Sequence, residues 1–394
     1  MPVPTIFPVS ADAADSLTER YAYLTNVLTA RSGSEQRIQL RSKPRRSMEY
    51  SLAASDERQG ALASHLIFGK QGASLGLPLW QFPCPLTSST SIGAQSFPCV
   101  TAGVPFVVGE WMVAWRSWDS YEALTIDTVG GSAVTTVETA AKAWPAGTRV
   151  FPVQAGRLPA SQSLSRVTSS LLAGAVKFDL EGGAAGPGAL SLPTYQGFKV
   201  LTLGPNARSA SDDRDDRRLS SLDSVTGALT TDAWDVAPAA LRMFLWSALS
   251  RAAAAELRGF LDERKGRAIP FWYPSWSRDF TLVSPAASSA TSLVVVSSGY
   301  TDHVFPLGDY RRHVQLLALG GTAQYRKVTA AVNNGNGTET LTVAALSEAL
   351  TVNALCSQMR LCRLDSDEAE LQWSSSEFVE ATLGFRELPS EVPA

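Results

Sequence analysis

Histidine is scarce in this 394-residue chain: only His65, His303 and His313 are present. Any mechanism that needs a histidine cluster is therefore restricted from the outset. The four cysteines are too few for a disulfide scaffold in a chain of this length, and none forms a C-x-x-C pair. Cys84 and Cys99 are separated by fourteen residues and Cys356 and Cys362 by five, so buried free thiols are expected, with no metal and no cofactor. No apolar run approaches the ~20 residues that span a bilayer. The first residues lack a basic stretch followed by an apolar core, so no secretory signal is expected. Neither sign of charge dominates: 34 basic and 37 acidic side chains leave a net charge of −3, without a general pull toward nucleic acid or anionic membrane.

No nucleophile elbow G-x-S-x-G and no G-x-x-x-x-G-K-[ST] phosphate loop occur. The glycines 182, 183, 186 and 188 read as a flexible linker. Acidic pairs are present, but their spacing is not diagnostic of glycosidase chemistry. A non-enzymatic protein is expected. With 45% apolar and 18% charged residues, the chain can fill packed cores, and its length suggests two or more domains.

What the sequence does contain is internal similarity. Arg46-Ser-Met-Glu-Tyr50-Ser-Leu52 lines up with Arg242-Met-Phe-Leu-Trp246-Ser-Ala248, each an extended run that reads as a strand. A helix is predicted after each, over Asp56–Phe68 and Arg251–Arg264, with Ser55 and Ser250 as N-caps and Gly69 and Gly266 as stops. Two proline-flanked aromatic segments follow, Pro78–Pro83 around Trp80 and Pro270–Pro274 around Trp272. Because proline cannot donate to a ladder, these read as edge strands or extended arms.

Each copy then carries a short-strand module. Phe106–Trp111 matches Phe305–Tyr310, and Tyr121 matches Tyr325. Alternating runs Ala123–Val129 and Ala133–Val137, and Lys327–Val332 and Thr338–Val343, flank the turns Gly130-Gly131 and Asn334–Gly337. The modules close on Arg149–Val153 and Met359–Arg363, and both copies return through Gly174–Phe178 and Ala381–Phe385. Spacing between matched residues drifts from 192 to 207.

The fold class expected is mainly β: two tandem units, each of strand, helix, proline-aromatic segment, inserted small β-barrel-like module and returning strand. The boundaries are an N-terminal arm 1–17, a first unit 18–90 and 156–200 with module 91–155, a charged linker 201–218, and a second unit 219–290 and 364–394 with module 291–363. The run Asp212–Arg218 reads as a solvated loop, its arginines arguing against a cation site. Arg37, Arg41, Lys43, Arg45 and Arg46 form a local basic stretch, suited to a strand edge, a ring lumen or a salt-bridged subunit contact. Trp80, Trp272, Tyr273 and Trp276 are candidates for core packing or for interface anchors. Trp111 and Trp115 should share one strand face in the core of the first module.

Thr18–Leu28, Arg31-Ser-Gly33-Ser-Glu35-Gln-Arg37 and Lys43-Pro44-Arg-Arg-Ser-Met-Glu-Tyr50 resemble the opening of tail proteins of long-tailed bacteriophages. The Pro270-Phe-Trp272 arm is similar to the corresponding part of distal tail proteins, including gene-transfer-agent relatives. The resemblance covers Thr18–Pro85 and, through the repeat, Leu219–Ser284. It implies that each unit is a tail-tube-like β-sandwich with one helix, and that the chain is a virion tail-tip component, assembled in the bacterial cytoplasm, that rings the end of the tail tube and joins it to hub and receptor-binding proteins, with DNA only as cargo in the lumen. The simplest members of that family have one unit. A duplicated chain implies a trimer with pseudo-sixfold symmetry, or a hexamer. A tail hub protein, a carbohydrate-binding peripheral protein and a cell-wall hydrolase are the competing readings.

Overall fold

The computed structural model describes residues 4–12, 14–54, 56–166, 168, 171–182, 190–206, 212–225, 227–235 and 237–393. It is mainly β and almost wholly antiparallel, with two 14-residue α-helices. The first half contains β1 (Leu17–Ala22), β2 (Thr25–Thr29), β3 (Glu35–Gln39), β4 (Arg45–Ala54), α1 (Glu57–Lys70), β5 (Ser74–Pro78), β6 (Cys84–Pro85) and β7 (Ser96–Pro98). It continues with β8 (Trp111–Ser117), β9 (Ser120–Val129), β10 (Ala133–Thr136), β11 (Arg149–Arg157), β12 (Ser165–Arg166) and β13 (Leu172–Leu180). A small hairpin, β14 (Thr194–Tyr195) and β15 (Phe198–Lys199), leads into β16 (Asp212–Asp216), β17 (Leu219–Asp223), β18 (Leu229–Ala233), β19 (Ala239–Ala248), α2 (Arg251–Arg264) and β20 (Phe271–Pro274). The chain ends with β21 (Ser292–Val296), β22 (His313–Leu317), β23 (Ala323–Asn333), β24 (Thr338–Val343), β25 (Leu355–Leu364), β26 (Glu368–Trp373) and β27 (Val379–Glu387).

From Ile6 to Lys70 the two halves keep one displacement. β2, β3, β4 and α1 reappear 194 positions later as β17, β18, β19 and α2, with the same lengths. Cross-strand partners shift by the same amount: Arg20 faces Ser47 and Arg214 faces Leu241. The displacement reaches back before β1. Ile6 and Val200, 194 apart, each make an isolated parallel bridge, to Gly76 and to Trp272, which are 196 apart because two residues are gained after the helices; Asp12 N donates to Ser51 O where Asn206 N donates to Leu245 O. Gly33 and Gly227, at φ 90° and 88°, hold corresponding hairpin loops in the left-handed region that suits glycine.

This displacement corrects the expected match of Arg46 with Arg242, which is a shift of 196. Arg46 stands where Ala240 stands, and Leu52, opposite Gly174, stands where Trp246 faces Ala381. A two-residue slip preserves which side chains face inward, so alternation alone did not reveal it. Likewise Tyr121 pairs with Trp115, whereas the strand position that pairs with Leu317 is Ala323 and not Tyr325.

α2 spans Arg251–Arg264 as expected, and Ser250 Oγ accepts from Ala253 N at 3.1 Å. α1 is capped by Asp56, whose Oδ1 accepts from Arg58 N at 2.7 Å; Ser55 lies outside the described residues. Gly69 is inside the helix rather than its stop. α2 ends through Lys265 in the left-handed region, followed by Gly266 at φ 66°.

The proline-aromatic segment Pro270–Pro274 is not an edge arm. β20 pairs with β25 on one side, and Val200 bridges Trp272 on the other. Pro274 ends the strand and Pro270 precedes it, so neither missing N–H interrupts the ladder. The expected linker 201–218 is also corrected: Leu201 N donates to Trp272 O, and Asp212–Asp216 forms a strand on β19. Much of the glycine run, 183–189, lies outside the described residues.

One apolar core runs through both halves, from Phe7, Tyr50 and Phe178 to Phe260, Trp373 and Phe385. The strands between Ser292 and Cys356 enclose a separate core around Phe280, Tyr300 and Leu341. Trp111 and Trp115 do share a strand face, but they pack against Ile6 and Phe151, and Trp115 Nε1 donates to Pro8 O at 2.9 Å. Their face forms a small cluster of the module's own strands closed by the N-terminal Ile6, whereas Met112 and Ala114 on the opposite face join the main core.

Candidate interface between the two halves and at the free edges

β26 of the second half lies between β27 and β1, so one sheet passes from half to half in the order β16-β19-β27-β26-β1-β4-β13. The register sets Leu17 opposite Trp373, Arg20 opposite Glu370 and Ala22 opposite Glu368. Arg20 and Glu370 form an ion pair across the seam.

Beneath the seam, Glu19 is completely buried. It accepts from Tyr21 Oη at 2.9 Å, from Trp373 Nε1 at 3.2 Å and from Arg46 Nη2. Arg258 of α2 lies 3.6 Å from the same carboxylate and donates from Nε to Tyr21 Oη at 2.8 Å. Burial opposes ionisation of Glu19. The Arg258 and Arg46 charges and the hydrogen bonds outweigh it and hold the pKa at about 2. Arg258 also lies over the Phe82 ring at 5.0 Å, and Phe82 meets Trp373 edge to face at 5.0 Å. Alternating inward positions of β1 and β4 and one turn of α2 together supply this network.

The β2–β3 hairpin reaches over the second half. Arg37 donates to both Glu391 carboxylate oxygens, at 2.8 and 2.5 Å, and Arg363 donates to both oxygens of Glu35, at 2.7 and 2.9 Å. Asp367 accepts from Thr25 N at 2.7 Å and Arg267 N at 2.9 Å. Such forked pairs fix orientation as well as proximity.

At the outer ends the corresponding strands have no second strand beside them among the described residues. β16 pairs only with β19 and β12 only with β13 among the described residues. Thr25 is 3% exposed in the seam, whereas Leu219, its counterpart 194 positions on, is 56% exposed; Leu229, the counterpart of Glu35, is 66% exposed. Asp262 of α2 accepts from Tyr23 Oη at 2.9 Å, while its counterpart on α1, Phe68, is 90% exposed.

The expected site residues separate accordingly. Arg46, Trp272 and Tyr273 are interior, which withdraws them as surface anchors. Trp272 Nε1 donates to Tyr195 O at 3.0 Å, and Tyr273 packs on Phe244 and Phe385. Arg45 is exposed. Trp276, at φ 55°, lies against Gly204. Trp80 is half-buried and meets Trp115 and Phe151 edge to face at 5.4 and 4.9 Å beside an open cleft that reaches Arg149 and Trp373. Of the basic stretch, Arg37 and Arg46 serve contacts within the chain, and Arg41 donates to Ala22 O at 3.3 Å. The residues that make the seam, Glu19, Arg258, Arg363 and Asp367, carry no local motif; the Thr18–Tyr50 resemblance marked only the segment holding the first.

All four cysteines are free and buried. Cys356 lies in the core around Phe280 and Cys362 in the main core, so one strand delivers them to different interiors. Among the described residues, no group of three or more His, Cys, Asp or Glu is placed to hold a metal, and no helix is long and apolar enough to cross a membrane. The chain matches no protein-family model, and no curated protein matches it.

Proposed function

We propose that this chain is a structural, non-enzymatic component of a phage tail tip, built from two tandem copies of one tail-tube-like β-sandwich unit, each with an inserted small barrel-like module. It forms a ring at the distal end of the tail tube and connects the tube to hub and receptor-binding proteins. The observation that carries the reading is the β26·β1 seam: one sheet continues from half to half, and the strands that correspond to its two sides are left at the outer ends. A unit that joins edge to edge with its like is what a ring requires. The 194-residue displacement from Ile6 to Lys70 supports the tandem, and the Thr18–Tyr50 resemblance supplies the tail-tip assignment.

The test is the mass and symmetry of the purified protein, by mass photometry with negative-stain class averages. Three or six chains around a central hole are expected. A monomer at tens of micromolar that also fails to bind purified tail-tube and hub proteins would overturn the reading. The cleft beside Trp80 and Trp115 favours, second, a carbohydrate-binding peripheral protein. Glycan binding lost in Trp80→Ala would support that reading.

A further inference from the structure

We infer that β16, with the hairpin β17–β18, joins the β12 edge and the outer side of α1 of a second copy of this chain, in the register of the internal seam. The inference rests on the tandem reading above and adds the surfaces, the partner and the strand register.

Two independent correspondences define the contact. β16 sits on β19 as β1 sits on β4, displaced by 194. β12 sits on the start of β13 as β26 sits on the start of β27: Ser165 faces Ala173 and Arg166 faces Leu172, where Gln372 faces Glu380 and Trp373 faces Val379, a displacement of 207. β1 pairs with β26 inside the chain, and among the described residues neither β16 nor β12 has a second strand beside it, so the corresponding pair, β16 with β12, forms across chains. Substituting both displacements into the seam's register places Arg214 opposite Ser163 and Asp216 opposite Ser161, as Arg20 faces Glu370 and Ala22 faces Glu368.

Burial points the same way. An exposed strand edge with unpaired amides is a template for another strand. Around it, Leu219, Leu229 and Phe68 are exposed at the positions whose counterparts Thr25, Glu35 and Asp262 are engaged across the seam. The Tyr23–Asp262 contact maps onto Arg217 and Phe68, both exposed, and a guanidinium over an aromatic ring is a favourable substitute for that hydrogen bond. In sequence β16 has four aspartates against one arginine, and the edge proposed for it carries exposed Arg166. The polar internal seam and the more apolar external one keep the geometry with different chemistry, so the halves cannot exchange roles. The contact is head to tail, which closes into a ring when the rotation permits.

The test is the full-length double variant Arg214→Cys/Ser163→Cys under mild oxidation, read on a non-reducing gel, with the unmodified chain as control because its own cysteines are buried. A reducible ladder beyond the dimer, ending at the ring's chain number, is expected. In parallel, Phe68→Ser and Leu229→Ser should each weaken self-association by at least about tenfold, with an unchanged thermal melt at dilutions where every variant is monomeric. Rings without the ladder would leave the ring reading standing and overturn this edge assignment. Dimers alone would overturn the head-to-tail geometry, and neither rings nor ladder would overturn both.

Discussion

Glu19 and Trp373 stand 354 positions apart in the chain, and the indole Nε1 of Trp373 donates to the Glu19 carboxylate at 3.2 Å. Arg46 from its own half and Arg258 from the other compensate the same buried charge. The seam thus has a polar centre inside an apolar core, and removing one partner strands the rest.

Glu19→Ala leaves two buried guanidiniums without their anion. A loss of about 3–5 kcal/mol is expected, read as a lowered urea midpoint. Glu19→Gln keeps the shape and removes only the charge, and it should lose less. Equal losses for the two variants would mean that packing, not charge, holds the centre.

Acid should loosen the protein in two windows. Glu19 has a folded pKa of about 2 against 4.5, so its contribution is complete above 4.5 and lost as pH falls toward 2. His313 is depressed to about 4 from 6.5 by burial and by Lys327. The folded state then binds fewer protons between those values, so stability present above 6.5 declines as pH falls to 4. Denaturation midpoints measured from pH 8 to 2 should show both declines, and Glu19→Gln should shrink the lower one and leave the upper unchanged, the remainder coming from Glu339, whose carboxylate is also held at about 2 by Ser297, Thr301 and Gly299.

The two helices should respond differently to truncation. Phe260 of α2 is buried against Phe271 at 5.1 Å, and Phe260→Ala should cost about 3–5 kcal/mol. Phe68 of α1 points to solvent, and Phe68→Ala should stay within about 0.5 kcal/mol of the unmodified monomer. Calorimetry on both variants checks the contrast.

Gly266→Ala should disturb the seam. Its φ is 66°, and a Cβ there would clash with Asp367 Oδ1 and meet Tyr23 Cβ at 3.0 Å. Asp367 holds Thr25 and Arg267, so a penalty above the ~1 kcal/mol of left-handed strain alone is expected. Gly227→Ala has the same strain without a neighbour within 4 Å and should cost less.

Local pattern made the β class, both helices and the turns at Gly130-Gly131 and Asn334–Gly337 legible, because alternation, caps and glycine-rich turns act over a few residues. The limits of α2 were readable from Ser250 and the arginine-ended helical run. Strand register was not readable to better than two residues, since every shift of two keeps the inward face. β16 was hidden because Asp212–Asp216 is charged throughout and so carries no apolar alternation to read. Trp272 looked like part of a protruding arm until strands from distant segments were seen on both its sides. The seam lay furthest from view: Glu19, Arg258 and Trp373 are ordinary residues in their own neighbourhoods. Only the folded chain lays β26 against β1, and burial then makes their charges depend on one another.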